Sequence, residues 1–272
     1  MPINKLAQSR HWYPCPVELA RCWGVAEDGA VVEVALAPSL IDELDRRWPP
    51  VGLSRQYVPV DPLEARFGLS DEWMIVPDVD ESGESPSTEA WDLLESELTH
   101  FAVTRLARLV AVHAAAIAHG GKVLVVPACS EGGKSTLAVA AASVGATVLS
   151  DEYTLIDAQT GTVVGWRRPV RVRRPDGSTE RLDLARASDP MPVGLIAAVF
   201  YDPASDGGWR RLSPAEATAE LLSHTICARS RPDDSLDAVL SIARSAPVIA
   251  GPRQDADVAI KDLLTMMDRK DR

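Results

Sequence analysis

The residues best suited to chemistry lie in one stretch, Lys122-Val-Leu-Val-Val-Pro-Ala-Cys-Ser-Glu-Gly-Gly-Lys-Ser-Thr136. An apolar run passes through small residues into Gly-Lys-Ser-Thr, the strand, loop and helix start that a phosphate-binding loop needs. Small residues let successive backbone N–H groups turn inward, and with the helix N-terminus they hold phosphate oxygens. In such a loop Lys134 reaches the β- and γ-phosphates of ATP, and the Ser135 hydroxyl ligates Mg2+. Ala128 replaces the first consensus glycine, which costs on the order of 1 kcal/mol if that position needs a positive φ. Glu131 sets a carboxylate beside the phosphates and must point to solvent to be tolerated.

The next apolar run, Ala146–Ser150, ends in Asp151 and Glu152. Ligand-binding groups gather at the carboxyl ends of strands in α/β sheets, and an acid there can hold Mg2+ or take the proton of an attacking hydroxyl. Ser135, Asp151 and Glu152 are therefore the candidate metal ligands, provided the Asp151 strand neighbours the loop strand. An exposed pair of turn acids is the plainer alternative. Two other readings compete for the same residues. Ala128 and Glu131 also fit a non-catalytic nucleotide-sensing or peptide-binding module built on a degraded loop. The order Ser130, Asp151, His224 would suit an α/β-hydrolase, although the glycine two residues before Ser130 is missing and a hydrolase has no use for Lys134 and Ser135.

The elements that must position these groups read as follows. Thr88 caps a helix whose apolar positions, from Trp91 to Val110, recur at helical spacing to about Ala111. Ala114–Ala118 and Lys122–Val126 are short strands joined by a turn at His119-Gly-Gly121. A helix from about Ser135 to Val144 ends before Gly145, and Ala146–Ser150 follows as a strand. Tyr153–Asp157 and Thr162–Trp166 pair as a hairpin, and Leu195–Tyr201 is a buried strand. Ser213-Pro-Ala-Glu216 is a capping box opening a helix to about Cys227; two further helices cover about Ser235–Ser245 and Asp255–Met267. This alternation predicts an α/β domain over residues 89–272. Residues 1–88, with Trp12, Trp23 and Trp48 among short apolar runs, read as a small α+β domain ending in an acidic loop.

Composition limits the partners. The 272 residues are 46% hydrophobic and 25% charged, which excludes disordered, collagen-like and disulfide-scaffold chains. A net charge of −11 repels polyanions and disfavours nucleic acid. Much of that charge sits between Arg66 and Arg105, where ten acids meet no Lys or Arg; this is a docking surface for a basic partner or simply a solvated loop. The one basic reversal is Trp166-Arg-Arg-Pro-Val-Arg-Val-Arg-Arg174. Alternation there puts Arg171 and Arg173 on one strand face, able to grip nucleotide phosphate or an acidic peptide, or merely solvated. Cys15, Cys22, Cys129 and Cys227 form no C-x-x-C pair, which implies a reducing compartment. With no signal-peptide pattern and no run long enough to span a membrane, the expectation is a cytoplasmic protein. Homo-oligomerisation stays open.

His113, two short strands, the loop and its helix, then Gly145-Ala-Thr-Val-Leu-Ser-Asp-Glu152, resemble in their order the HPr kinase/phosphorylase family. The chain looks more closely like the HPr-kinase-related proteins, some of which phosphorylate serine in ribosomally made peptides such as lasso peptides. The resemblance covers roughly residues 111–255. It implies a phosphoenolpyruvate-carboxykinase-like α/β fold with a mixed sheet. It implies ATP contacts at Ser130, Gly132, Gly133, Lys134, Ser135 and Thr136, with Asp151 as the base and His113 beside it. Lys134, Asp151 and His113 are then the catalytic group, ATP and Mg2+ the cofactors, and a Ser or Thr of a peptide or protein the acceptor. Ala128 and Glu131 stand where family loops carry glycines, and Glu152 where the family commonly has a second Asp. The carboxyl-terminal signature of the HPr-modifying enzymes is missing, so HPr itself is not the implied acceptor.

Overall fold

Alternation of β-branched and small apolar residues dominates the chain after residue 108, and it folds as strands flanked by helices. The computed structural model describes residues 20–36, 38–49, 51–57, 65–68, 88–128, 132–174, 176–186, 188–205 and 208–269. Most of the acidic run after Arg66, and Cys129, Ser130 and Glu131 of the loop, lie outside the described residues. The chain divides into two units: Met1–Val25 with Ala30–Trp48 and Ser54–Leu98, and Ala26–Gly29 with Pro49–Leu53 and Thr99–Arg272.

In the first unit β1 (Ala20–Ala26) pairs antiparallel with β2 (Val31–Leu36), every residue of which is buried. Helix α1 (Ile41–Arg47) follows. With β3 (Leu53–Gln56) and β4 (Ala65–Gly68) the strands form a sheet in the order β3-β1-β2-β4, with β4 parallel to β2. Helix α2 (Thr88–Val103) begins in this unit, where Arg47 reaches Asp92 at 3.0 Å and lies over the Trp91 ring. The helix stops at Val103 rather than near Ala111. Thr104 turns its hydroxyl back onto the His100 carbonyl at 2.8 Å, and the residues from Leu109 onward enter a strand instead.

That strand, β5 (Leu109–His119), turns through Gly120 and Gly121 into β6 (Lys122–Pro127). Helix α3 (Lys134–Ser143), β7 (Thr147–Ser150), β8 (Tyr153–Asp157) and β9 (Thr162–Gly165) follow. A separate ribbon pairs β10 (Val170–Arg173) with β11 (Thr179–Leu182). Then come β12 (Ser188–Tyr201), β13 (Arg210–Arg211), α4 (Pro214–Ser223), α5 (Pro232–Ser245), β14 (Val248–Arg253) and α6 (Ala256–Asp268). Strand β12 starts earlier than Leu195, α4 ends short of Cys227, and β14 has no counterpart in the sequence reading. The capping box at Ser213 is present, with the Glu216 carboxylate accepting from the Ser213 N–H at 2.9 Å.

The main sheet runs β13-β14-β12-β6-β5-β8-β9, with β7 also on β5. Strands β6, β12 and β14 are parallel, whereas β5 is antiparallel to β6, β7 and β8, so the fold is α/β with a mixed sheet. Strand β12 also pairs with β9, which closes β12, β6, β5, β8 and β9 into a ring. Side chains alternate across the sheet as strand geometry requires. Val110, Val112, Ala114 and Ala116 pack with Leu221 of α4 and with Val239 and Ile242 of α5. Ala115, Ile117, Leu124 and Val126 pack with Leu137 of α3 and with Ile260 and Leu263 of α6. Each fully buried Ile or Leu of these layers stabilises the fold by about 1.5–3 kcal/mol. No described helix is long and apolar enough to cross a membrane.

The ring closes at Gly165, which faces Ser188 and has no room for a side chain. A Cβ there would lie 2.6 Å from the Arg186 carbonyl oxygen and 2.8 Å from the Ser188 nitrogen, both backbone atoms. Gly165→Ala is expected to lower unfolding free energy by about 1–3 kcal/mol in urea titration. An unchanged midpoint would mean that β9 and β12 part to admit a methyl group.

Candidate functional site

The parallel β6 and β7 both end at the same edge of the sheet, one entering the loop before α3 and the other the turn at Asp151. They are not neighbours, because β5 lies between them, which corrects the condition placed on the Asp151 strand. The acid reaches the loop nonetheless. Ser135, in the first turn of α3, donates its Oγ hydrogen to Asp151 Oδ2 at 2.7 Å. Asp151 is 8% exposed, and burial pushes its carboxyl above the ordinary aspartate value, with the Ser135 hydrogen bond opposing and the Glu152 charge adding to the rise. Arg168 and the backbone of Arg171 also pull it downward.

Gly133 begins α3 with φ 80°, a left-handed conformation that disfavours any side chain. The N–H groups of the first helical turn lack intrahelical partners, and the helix dipole makes this end positive. Lys134 is 7% exposed, and its Nζ donates to the Ala128 carbonyl at 2.7 Å, tying the two ends of the loop together. Gly132 and Ser135 are half-buried and Thr136 is exposed. Ser130, expected to touch phosphate, lies outside the described residues.

His113 stands where three chain segments meet. Its N–H donates to the His224 carbonyl at 2.8 Å, its carbonyl accepts from Ala128, and it pairs with Tyr153 across β5 and β8. Its ring sits 6.3 Å from that of Tyr153, which in turn stacks on Trp166 at 6.0 Å. Burial, with help from the Lys134 and His224 charges and against that of Glu152, pulls the imidazole down to about 4, so it is neutral at pH 7. Glu152 turns away from Asp151 and pairs with Arg168. Arg168, from the same basic run, is buried; of the two arginines expected on one strand face, Arg173 is exposed and Arg171 half-buried.

Of the hydrolase order, Ser130 lies outside the described residues. His224 Nε2 faces Glu220 at 3.4 Å, and Asp151 is engaged by Ser135 rather than by an imidazole. Nor do three or more His, Cys, Asp or Glu side chains gather as a metal cluster among the described residues. The Ser135 hydroxyl and Asp151 carboxylate still fit Mg2+, a hard cation that takes few protein oxygens and completes its shell with phosphate and water. Sequence reasoning missed Arg253, which lodges at Gly133, because β14 is a brief apolar run between two helices. Compared with protein-family models and with curated proteins, the chain finds no match.

The His113 shift has a defined sign. Its folded value of about 4 lies below the ordinary histidine value of 6.5, so the unfolded chain takes up the proton first. Its stabilising contribution is whole above pH 6.5 and is lost as pH falls toward 4. NMR titration should give the His113 ring a midpoint near 4, and His113→Phe should flatten the wild-type loss of stability across that window. A midpoint near 6.5 would mean that the ring is solvated.

Proposed function

We propose that the chain is an ATP-dependent kinase of the phosphoenolpyruvate-carboxykinase-like type, transferring the γ-phosphoryl group to a Ser or Thr hydroxyl of a peptide or protein. The observation that carries this reading is the 2.7 Å hydrogen bond from Ser135 to Asp151 at the positive end of α3, next to the buried Lys134 ammonium. A hydroxyl and a carboxylate held together at an anion-attracting helix end are what phosphoryl transfer asks of a protein.

The Lys134 ammonium and the N–H groups of the first turn of α3 hold the phosphate chain and neutralise charge as it develops on the transferred group. Asp151, its basicity raised by burial, orients the acceptor hydroxyl and takes its proton. The acceptor oxygen bonds to the γ-phosphorus, the bond to the β,γ-bridging oxygen breaks, and ADP leaves. A bound Mg2+ would supply further neutralisation of the phosphates, held by Ser135 and Asp151. Neutral His113 adds no positive charge beside Lys134, and its ring lies 6.3 Å from that of Tyr153. A nucleotide-sensing module is the second reading, favoured by the bond between Lys134 and Ala128, which occupies the ammonium within the loop.

Radiolabelled transfer from γ-labelled ATP to a Ser/Thr peptide library separates the two. Lys134→Ala should cut transfer by about 10²–10³-fold. Asp151→Asn should cut it by about 10²–10⁴-fold. Calorimetry should show ATP affinity little changed in Asp151→Asn. Full transfer by Asp151→Asn would remove its role as base, and binding without transfer in the wild type would leave the sensor.

A further inference from the structure

Arg253 closes β14 at the carboxyl edge of the sheet, in register with Tyr201 at the end of the parallel β12. It is 3% exposed, as buried as the core around it. Nη1 donates to the Gln254 carbonyl at 3.0 Å, and the guanidinium lies 5.3 Å from the centre of the Tyr201 ring. Nε is buried with no hydrogen-bond partner. The nearest described acid in sequence, Asp255, accepts the Tyr201 hydroxyl at 3.1 Å, and its charge favours the Arg253 cation without outweighing the cost of burial. Nη2 lies against Gly133, where any Cβ would overlap it. The head of α3 is thus faced by a second buried cation, carried by a different strand from the one that leads into the loop.

Burying a guanidinium with no carboxylate in contact is costly, and a ligand anion can supply the missing contact. The ligand must be an anion that meets the Arg253 guanidinium and the N–H groups at the head of α3 together, and rich enough in oxygens for both. A phosphate group meets both demands.

We infer that Arg253 is a phosphate-binding residue, forming with the N–H groups at the head of α3 a two-sided grip on a polyphosphate oxyanion. The inference deepens the kinase reading and rests on it for the identity of the ligand, a nucleoside triphosphate, but the grip is for phosphate oxygens whatever carries them. Gly133 is required twice, for its left-handed backbone and for the space that the guanidinium fills. Tyr201 holds the flat face of the arginine and is itself held by Asp255, so the fork keeps its aim when no anion is bound.

Calorimetry with two probes, ATP and inorganic tripolyphosphate, tests this on the full chain. Wild type should bind both, and Arg253→Met should weaken both at least tenfold. Arg253→Lys should lose several-fold by giving up the fork while keeping the charge, and it decides the matter if the methionine variant does not fold. Thermal unfolding without ligand should be unchanged or raised in Arg253→Met, because a buried charge has been removed, while the stabilisation by tripolyphosphate should shrink. ATP affinity unchanged in both variants would overturn the inference and leave the kinase reading standing. Arg253-dependent binding of tripolyphosphate with no binding of ATP would sink the kinase reading and sustain the grip.

Discussion

Strand β5 is hydrogen-bonded on one side to β6 and on the other to β7 and β8, and the register of those pairs brings three chain reversals to one level of the sheet. Ala114 faces Pro127, the last residue before the loop; Ala116 faces Ser150, the last before the acids; His113 faces Tyr153, the first after them. The Ala114 N–H donates to the Glu152 carbonyl at 3.2 Å, and the His113 N–H to the end of α4. A slip of one residue in any of these pairs would exchange the two faces of a strand and carry the acids away from the loop. The run of alanines in β5 lets helices approach from both sides, which makes that register the one that fills both core layers.

On this frame the head of α3 is positive in a chain whose net charge is −11. Lys134 and Arg253 are both buried there, and the helix dipole has the same sign. A carbonyl, an aromatic face and backbone contacts partly satisfy the two cations, and Asp151 contributes a carboxylate through Ser135. Such a concentration of positive charge opposes folding unless packing offsets it, and here the packing lies on both sides of the sheet. The Coulombic field of this end reaches His113, whose protonation Lys134 disfavours.

Local signals were legible in the sequence because they need no partner. The Gly120-Gly121 turn, the start of α3 within a residue of Ser135, its end before Gly145 and the capping box at Ser213 all follow from residue types at fixed offsets. The end of α2 was not legible: Leu106, Leu109 and Val110 satisfy helical spacing as well as strand alternation, and only pairing with β8 decides between them. Strand β14 hid for a related reason, since a short apolar run is read as strand only when neighbours such as β12 are known to flank it. Arg168 and Arg253 could not be read as buried, because what buries each is distant in the chain: Glu152 for the first, Gly133 and Tyr201 for the second. Of the candidate site, the helix start and its acid came from spacing, while the second cation required the fold.

The two adjacent acids also show how a turn assigns different work to similar side chains. Ser150 Oγ accepts the N–H groups of Glu152 at 3.2 Å and Tyr153 at 3.1 Å, which fixes the reversal between β7 and β8. Successive side chains then leave in different directions, Asp151 toward α3 and Glu152 toward Arg168. Glu152 has its charge matched by a buried guanidinium and is committed to holding the segment after β9 in place. Asp151 accepts from the Ser135 hydroxyl and a backbone N–H, with the Arg168 charge also favouring its ionised form, in surroundings whose net effect raises its affinity for a proton. Of the two, Glu152 is tied to a buried guanidinium, whereas Asp151 is tied to a neutral hydroxyl, the partner that exchanges more readily.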